Sequence, residues 1–256
     1  MDHLITDVLV VGAGAAGMYA SVSAAKSGAD VVLCDKSLIS RGGATVMAQM
    51  TVAAAIAHQE ADHWTHHLHD TIQSGQGLCN EKLSYQLCKN APKKILEMRD
   101  WKTDWANDNA RIRQVLAPGH EVKRCCYVDF LNTGPAVART LRGKVAKHKN
   151  IKRISGITII DLVVKKARVV GAIGLHTETG DFVSFTAKAV VLAAGGLTQL
   201  FARNSASKNM GGDSHALALR AGANLIDMEF VQFFPIGHLA PRLVGMDPIM
   251  WDPFRY

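Results

Sequence analysis

The sequence predicts an α/β fold in which a parallel sheet is continued by an antiparallel β-meander, and three observations predict it. A nearly continuous apolar run over residues 7–11 leads into a glycine-rich turn and then a helix over residues 15–27. A second apolar run, residues 30–34, follows that helix, and alternating segments joined by short turns fill residues 151–188. Continuous apolar runs suit parallel strands that are buried on both faces, whereas alternating segments suit antiparallel strands.

The turn after the first strand has the spacing of a dinucleotide-binding motif. Residues 12–17 read Gly-Ala-Gly-Ala-Ala-Gly, and glycines at these places let the backbone turn sharply, approach a pyrophosphate and pack helix on strand. The next helix then faces the phosphates with free N–H groups and its positive dipole end. Asp35 ends the second strand, where a carboxylate accepts hydrogen bonds from a ribose. This order of elements predicts a Rossmann-like nucleotide-binding domain, and the competing interpretation is a glycine-rich turn that binds nothing.

A second glycine-bearing loop follows Asp35-Lys36. It contains Gly42-Gly43-Ala44-Thr45, and the run Val46–Ala57 behind it is rich in alanine and other small residues. Small residues let backbone N–H groups lie close against a flat ring system. The alternative for this run is a tightly packed, alanine-rich helix.

Several separate motifs, in the same order, resemble the flavoprotein-subunit family of succinate dehydrogenase and fumarate reductase, which also includes L-aspartate oxidase. The resemblance covers nearly the whole chain. It is carried by residues 12–17, 35–36, 42–49, Trp64, Asp70-Thr71, Gly75, Thr133-Gly134, 187–196, 211–213, 218–223 and 227–233.

The resemblance implies an FAD-dependent oxidoreductase whose flavin N5 exchanges hydride with a small organic substrate, for which carboxylates are one candidate class. It implies that the end of the strand at residues 189–193 touches the adenosine half of FAD and that Asp213 reaches the ribityl or pyrophosphate region. The residues expected to hold FAD, from the motif and the resemblance together, are Gly12, Ala13, Gly14, Ala15, Ala16, Gly17, Asp35, Lys36, Gly42, Gly43, Ala44, Thr45, Ala48, Gln49, Ile159, Ala193, Ala194, Gly195 and Asp213.

Two departures from the family pattern bear on function. Ala44 stands where membrane-bound members carry the histidine that bonds to flavin, so noncovalent FAD is expected. Phe234 stands where dicarboxylate-handling members carry a substrate histidine, and a phenyl ring cannot donate a hydrogen bond. His238 lies close by, but the Thr-Glu pair expected next is replaced by residues 239–251, and Arg242 and Arg255 match no motif. The catalytic acid or base is therefore left unassigned.

The expected domain organisation is one FAD-binding domain over residues 1–235, with a surface excursion at about 102–125 and the meander at about 151–188. Residues 236–256 would begin a connection toward a capping domain that this chain lacks. The alternative function is a truncated, non-catalytic FAD-binding module that needs a partner chain or a missing C-terminal half. An NAD-dependent dehydrogenase is a third candidate, disfavoured by the second glycine loop and by Gly211-Gly212-Asp213.

Composition limits the classes of partner. The 256 residues are 48% hydrophobic and 20% charged, which is ordinary for a soluble globular protein. The net charge of +7 favours anionic small molecules, but no basic run is interleaved with aromatic residues, so nucleic acid is not expected. No apolar run approaches the roughly 20 residues that cross a bilayer, so no direct membrane insertion is expected. We expect a cytoplasmic protein. The resemblance implies an iron–sulfur or other electron-transfer subunit as its partner, and any attachment to a membrane would be through that subunit.

Cysteine and histidine patterns argue against disulfides and metal. The five cysteines (34, 79, 88, 125 and 126) have no zinc spacing, and adjacent Cys125-Cys126 fit buried small residues better than a strained disulfide. His63 and His67 share a face of the helix predicted over residues 58–72 and would place two ligands together. With no third ligand nearby, we interpret them as part of a polar helix face and predict no metal.

Overall fold

The computed structural model describes residues 2–129 and 132–232. These residues form two compact units, the first containing residues 2–47 and 141–232 and the second residues 48–129 and 132–140. The helices and strands are β1 (Asp2–Val11), α1 (Ala15–Lys26), β2 (Val31–Asp35), β3 (Val52–Ala53), α2 (Trp64–Ser74), α3 (Glu81–Asp100), β4 (Asn107–Asp108), β5 (Arg111–Ile112), β6 (Gln114–Val115), β7 (Cys125–Cys126), α4 (Thr133–Lys147), β8 (Ile151–Ser155), β9 (Ile157–Lys165), β10 (Arg168–His176), β11 (Phe182–Leu192) and α5 (Asp213–Arg220).

The first unit is built on a six-stranded sheet in the order β8-β2-β1-β11-β10-β9. The first four strands are mutually parallel, and β10 runs antiparallel to both β11 and β9. Val10 of the central strand lies opposite Leu33 on one side and Val191 on the other. Val10 and Leu33 are fully buried, because this part of the sheet is covered on both faces. The predicted α/β class is confirmed.

Two strand boundaries differ from the prediction. Residues 151–164, predicted to begin the meander, form two strands that are separated at Gly156, whose φ of +72° suits glycine. β8 pairs with β2 as a parallel edge strand, so the antiparallel meander begins only at Ile157. The last segment of the predicted meander and the strand predicted at residues 189–193 form the single strand β11, because β1 pairs with it from Val183 to Leu192.

The second unit packs α2 against α3 and adds short strands in the order β3-β7-β6, with β4 and β5 forming a separate pair. The region predicted as a polar surface excursion carries β4 to β7. Trp105, Ile112 and Gln114 in it are buried. The buried amide of Gln114 is satisfied, because its Nε2 donates to the Ala54 carbonyl at 2.9 Å. Residues 46–57 do not form the alternative alanine-rich helix: they contain only part of a 3₁₀ turn (Thr45–Met47) and β3.

Histidines at the start of α2 lie differently from the prediction. The helix begins at Trp64 rather than His58, because His63 caps it through Nδ1, which accepts from the Thr65 N–H at 3.5 Å. His58 instead accepts the Ile112 N–H at 2.8 Å. His67 is only 3% exposed, so the predicted polar face is wrong for this residue. Among the described residues, no three His, Cys, Asp or Glu side chains are arranged to hold a metal ion.

A buried charge cluster lies near His67. Arg124 is completely buried, and its Nε lies 3.1 Å from Asp62 Oδ2 while its Nη1 lies 2.8 Å from Asp70 Oδ2. The ring of His67 stacks edge-on against that of His120, with the centroids 5.5 Å apart. Burial, assisted by the charge of Arg124, lowers the pKa of His67 to about 4, although Asp62 and Asp70 oppose this shift.

We predict that mild acid destabilises the second unit. The unfolded chain binds a proton on His67 below pH about 6.5, whereas the folded unit binds it only near pH 4. The free energy of unfolding should therefore fall as pH is lowered from about 6.5 to about 4, by up to about 3 kcal/mol. Urea titrations followed by tryptophan fluorescence measure it, because Trp64, Trp101 and Trp105 lie in this unit.

Two variants test whether His67 causes this pH dependence of the unfolding free energy. His67→Leu should make it less steep, since one titrating group is removed, while His58 and His120, whose pKa values burial also lowers, keep their contribution. His69→Gln, on the same helix but exposed, should leave it unchanged. An equally steep loss of stability in His67→Leu would show that another group is responsible.

The cysteine prediction is confirmed: all five are free, and Cys125 and Cys126 are 2% and 0% exposed within β7. No helix within residues 2–129 and 132–232 combines the length and apolarity needed to traverse a bilayer.

Candidate functional site

A cleft opens in the first unit at the carboxyl ends of three adjacent parallel strands, β2, β1 and β11. This edge is where open α/β sheets bind their ligands. The cleft is lined by residues 11, 12, 14–16, 35, 36, 42–45, 157–159, 193–195, 209, 210, 213 and 217.

The three glycines of the first turn have different roles. Gly12 has φ +101°, and a Cβ there would lie 2.3 Å from the Ala193 carbonyl oxygen. A Cβ on Gly17 would lie 1.8 Å from the Gly12 carbonyl oxygen, so the contact of helix on strand requires glycine. Gly14 has an ordinary φ of −72°, and the nearest atom to a Cβ there is Thr45 Oγ1 at 3.3 Å. Gly12 and Gly17 are therefore needed for folding, whereas Gly14 keeps the cleft open.

Backbone donors at the start of α1 point to an anionic ligand. The Ala13 N–H donates to Asp35 Oδ2 at 2.7 Å, and the Ala15 N–H donates to Thr45 Oγ1 at 2.9 Å. Within the described part of the chain, the N–H groups of Gly14 and Ala16 have no acceptor, and both residues line the cleft. The first turn of a helix cannot satisfy such donors itself, and together with the helix dipole they suit a phosphate. The site therefore fits the diphosphate of a dinucleotide.

Within residues 2–129 and 132–232, the charged side chains that line the cleft are Asp35, Lys36 and Asp213. Asp35 Oδ1 accepts the N–H and the hydroxyl of Ser37, each at 2.8 Å. Asp213 begins α5 and pairs with Lys36, the Nζ to Oδ2 distance being 2.5 Å. A carboxylate has about four acceptor positions. The Ala13 N–H and the two donors of Ser37 occupy three of them, so Asp35 keeps one for a ligand hydroxyl.

Most of the predicted site residues come together in this cleft: Gly12, Gly14, Ala15, Ala16, Asp35, Lys36, Gly42, Gly43, Ala44, Thr45, Ile159, Ala193, Ala194, Gly195 and Asp213 all line it. Ala13 and Gly17 are buried behind its wall. Ala48 and Gln49 belong to the second unit, where the Ala48 carbonyl accepts the Gly134 N–H at 2.7 Å and Thr133 Oγ1 donates to the Met50 carbonyl at 2.6 Å. Thr133-Gly134 thus fixes the backbone of this small-residue segment.

Sequence reasoning missed six lining residues: Val11, Ile157, Thr158, Asn209, Met210 and Leu217. Asn209 Nδ2 donates to Ser37 Oγ at 2.9 Å, and a Cβ on Gly42 would lie 2.1 Å from that amide nitrogen. Gly42 was the one indirect signal for this contact, because the loop that carries Asn209 has no periodic pattern. Phe234, at the position of the family's substrate histidine, and His238, Arg242 and Arg255, to which no role was assigned, lie outside the described residues.

Comparison with known proteins places the chain in a family. The family model described as "FAD binding domain" matches residues 7–245. An uncharacterized FAD-dependent oxidoreductase of Methanocaldococcus jannaschii is 35% identical over 95% of this chain and 44% of its own length. The succinate dehydrogenase flavoprotein subunit of Rickettsia bellii is 32% identical over 92% of this chain and 40% of its own. A chain of the Sdh1 complex of Mycobacterium smegmatis superposes with a TM-score of 0.92 and 33% identity, over 96% of this chain and 44% of that one.

The chain thus spans less than half the length of these relatives. Within that share, the sequence similarity, the fold and the donor-lined cleft agree. The chain therefore belongs to the family of FAD-binding oxidoreductase domains that includes the flavoprotein subunits of succinate dehydrogenase and fumarate reductase.

Proposed function

We propose that this chain holds FAD noncovalently in the cleft and forms the cofactor-binding part of an oxidoreductase of the succinate dehydrogenase and fumarate reductase class. The unpartnered N–H groups of Gly14 and Ala16, at the start of α1, carry the proposal. When bound, FAD supplies a hydride donor and acceptor at its N5. The chain's own part is to bind and orient it.

Each side of the cleft has a separate task in this proposal. The Gly14 and Ala16 N–H groups bind the diphosphate, and the remaining acceptor of Asp35 binds a ribose hydroxyl. The backbone at residues 193–195 borders the adenosine half. Ala44 has only a methyl group, which cannot form a bond to flavin, so the cofactor stays exchangeable.

The purified chain tests this directly. Its visible spectrum is recorded before and after acid precipitation, and yellow flavin released into the supernatant is the expected result. Flavin retained by the precipitated protein would contradict noncovalent binding. A folded, colourless chain that does not take up added FAD would contradict the cofactor itself, and a bound nicotinamide would show no yellow colour.

Loss of the Asp35 carboxylate should weaken FAD binding. Asp35→Ala removes the ribose acceptor, and we expect a loss of about 1–3 kcal/mol in binding free energy, measured by flavin fluorescence titration. Ser37→Ala is the matched control, because it removes a hydrogen bond to the same carboxylate but keeps the acceptor. Equal losses in the two variants would mean that Asp35 acts only on loop structure.

The proposal also includes a partner subunit and a class of substrate. The Rickettsia bellii relative is named as a subunit, and one matched structure is a complex, which supports an iron–sulfur or other electron-transfer subunit for this protein. The substrate proposed is a small organic molecule, and carboxylic acids are the first class to test. Reoxidation of the chemically reduced, FAD-loaded chain by fumarate, compared with other unsaturated acids, tests it. Tight FAD binding without reoxidation by any of them would support the alternative, an FAD-binding module that needs further protein.

A further inference from the structure

The cleft contains an ion pair between Lys36 and Asp213, and its charges bear on the binding of an anionic cofactor. Among the described residues, the cleft is lined by one cationic side chain, Lys36, and by two carboxylates, Asp35 and Asp213. A dinucleotide brings a diphosphate with two further negative charges. Binding therefore requires that both carboxylates be compensated by the protein before the diphosphate arrives.

The two carboxylates are compensated in different ways. Asp35 accepts three neutral donors, the Ala13 N–H, the Ser37 N–H and the Ser37 hydroxyl, at 2.7 to 2.8 Å. Asp213 instead receives the Lys36 ammonium, with Nζ 2.5 Å from Oδ2. The Lys36 and Asp213 side chains are 29% and 35% exposed, so solvent screens this pair only in part.

We infer that Lys36 is the counter-ion of Asp213 rather than a ligand of the cofactor phosphates. It cancels a carboxylate that would otherwise repel the diphosphate in the same cleft. This inference rests on the proposed FAD site. Lys36 is accordingly a positioning residue: it holds the Asp213 side chain and its charge, and the helix N–H groups bind the anion.

A double-mutant cycle separates the two roles of Lys36. FAD dissociation constants are measured by flavin fluorescence for the wild-type chain, Lys36→Met, Asp213→Asn and the double variant. Lys36→Met should raise the dissociation constant about tenfold to a hundredfold in the wild-type background, because an uncompensated carboxylate then faces the diphosphate. In the Asp213→Asn background the same substitution should change it less than about threefold.

A direct phosphate contact predicts a different result, an equal loss from Lys36→Met in both backgrounds, and that result would overturn the inference. Lys152→Met, on the exposed edge strand β8, is the matched control and should bind FAD as the wild type does. Circular dichroism verifies folding, and Lys36→Gln replaces Lys36→Met if the latter does not fold. If the wild-type chain itself binds no FAD, the proposed function fails, whereas wild-type binding with an uncoupled cycle defeats the counter-ion role alone.

Discussion

Alanine in place of Gly17 should destabilise the first unit by at least about 3 kcal/mol. The added Cβ would lie 1.8 Å from the carbonyl oxygen of Gly12, which is a backbone atom and cannot rotate away. Gly12 is itself fixed, because its N–H donates to the Cys34 carbonyl at 2.8 Å and its α-carbon faces the Ala193 backbone. Helix α1 would have to move off β1, and α1 also carries the buried side chains of Met18 and Val22.

Urea unfolding followed by circular dichroism measures this loss. The matched control is Gly143→Ala in helix α4, where a Cβ meets nothing within 4 Å. That variant should be neutral or more stable by up to about 1 kcal/mol, because alanine is the better helix former. An unfolding free energy for Gly17→Ala close to that of the wild type would contradict the contact of α1 with β1.

The Gly12–Gly17 turn could be predicted from sequence because its signals are local. The apolar strand, the glycine spacing, the helix and Asp35 lie within a few tens of residues, and each restricts the backbone by itself. The cleft forms where these elements end. The same holds for Gly195, which lies three residues after the apolar end of β11 at Leu192.

The edge strand β8 shows where local reasoning fails. Its residues, Ile-Lys-Arg-Ile-Ser, combine apolar and polar side chains as edge strands of either direction do, so the sequence indicates a strand but not its partner. Pairing with β2 is decided by Val31 and Ile151 lying opposite each other, 120 residues apart in sequence. No short-range pattern contains that information.

Buried polar residues were missed for a related reason. Arg124 and His67 are polar, and composition predicts such residues at the surface. Arg124 is buried because Asp62 and Asp70 pair with it, and Asp62 lies 62 positions before it, while the ring of His67 packs against that of His120, 53 positions away. The cleft residue Asn209 is a similar case, since its amide is held by Ser37, 172 positions away.

Valine at Gly14 should prevent FAD binding without preventing folding. Gly14 has φ −72° and ψ −175°, which any residue adopts, and the nearest atom to its Cβ would be Thr45 Oγ1 at 3.3 Å. The branched side chain would fill the cleft beside the free N–H groups of Gly14 and Ala16, where the diphosphate is proposed to bind. We expect the FAD dissociation constant to rise at least about a hundredfold, a loss of about 2.7 kcal/mol.

Flavin fluorescence titration gives the dissociation constant, and thermal unfolding followed by circular dichroism tests the fold. Ser23→Val is the matched control, because it places the same β-branched residue on an exposed turn of α1, away from the cleft. It should bind FAD normally while showing any general cost of valine in this helix. Since Gly17→Ala removes binding by displacing the helix, only Gly14→Val isolates the role of the turn in binding. Normal flavin binding by a folded Gly14→Val chain would require the diphosphate to lie elsewhere in the cleft.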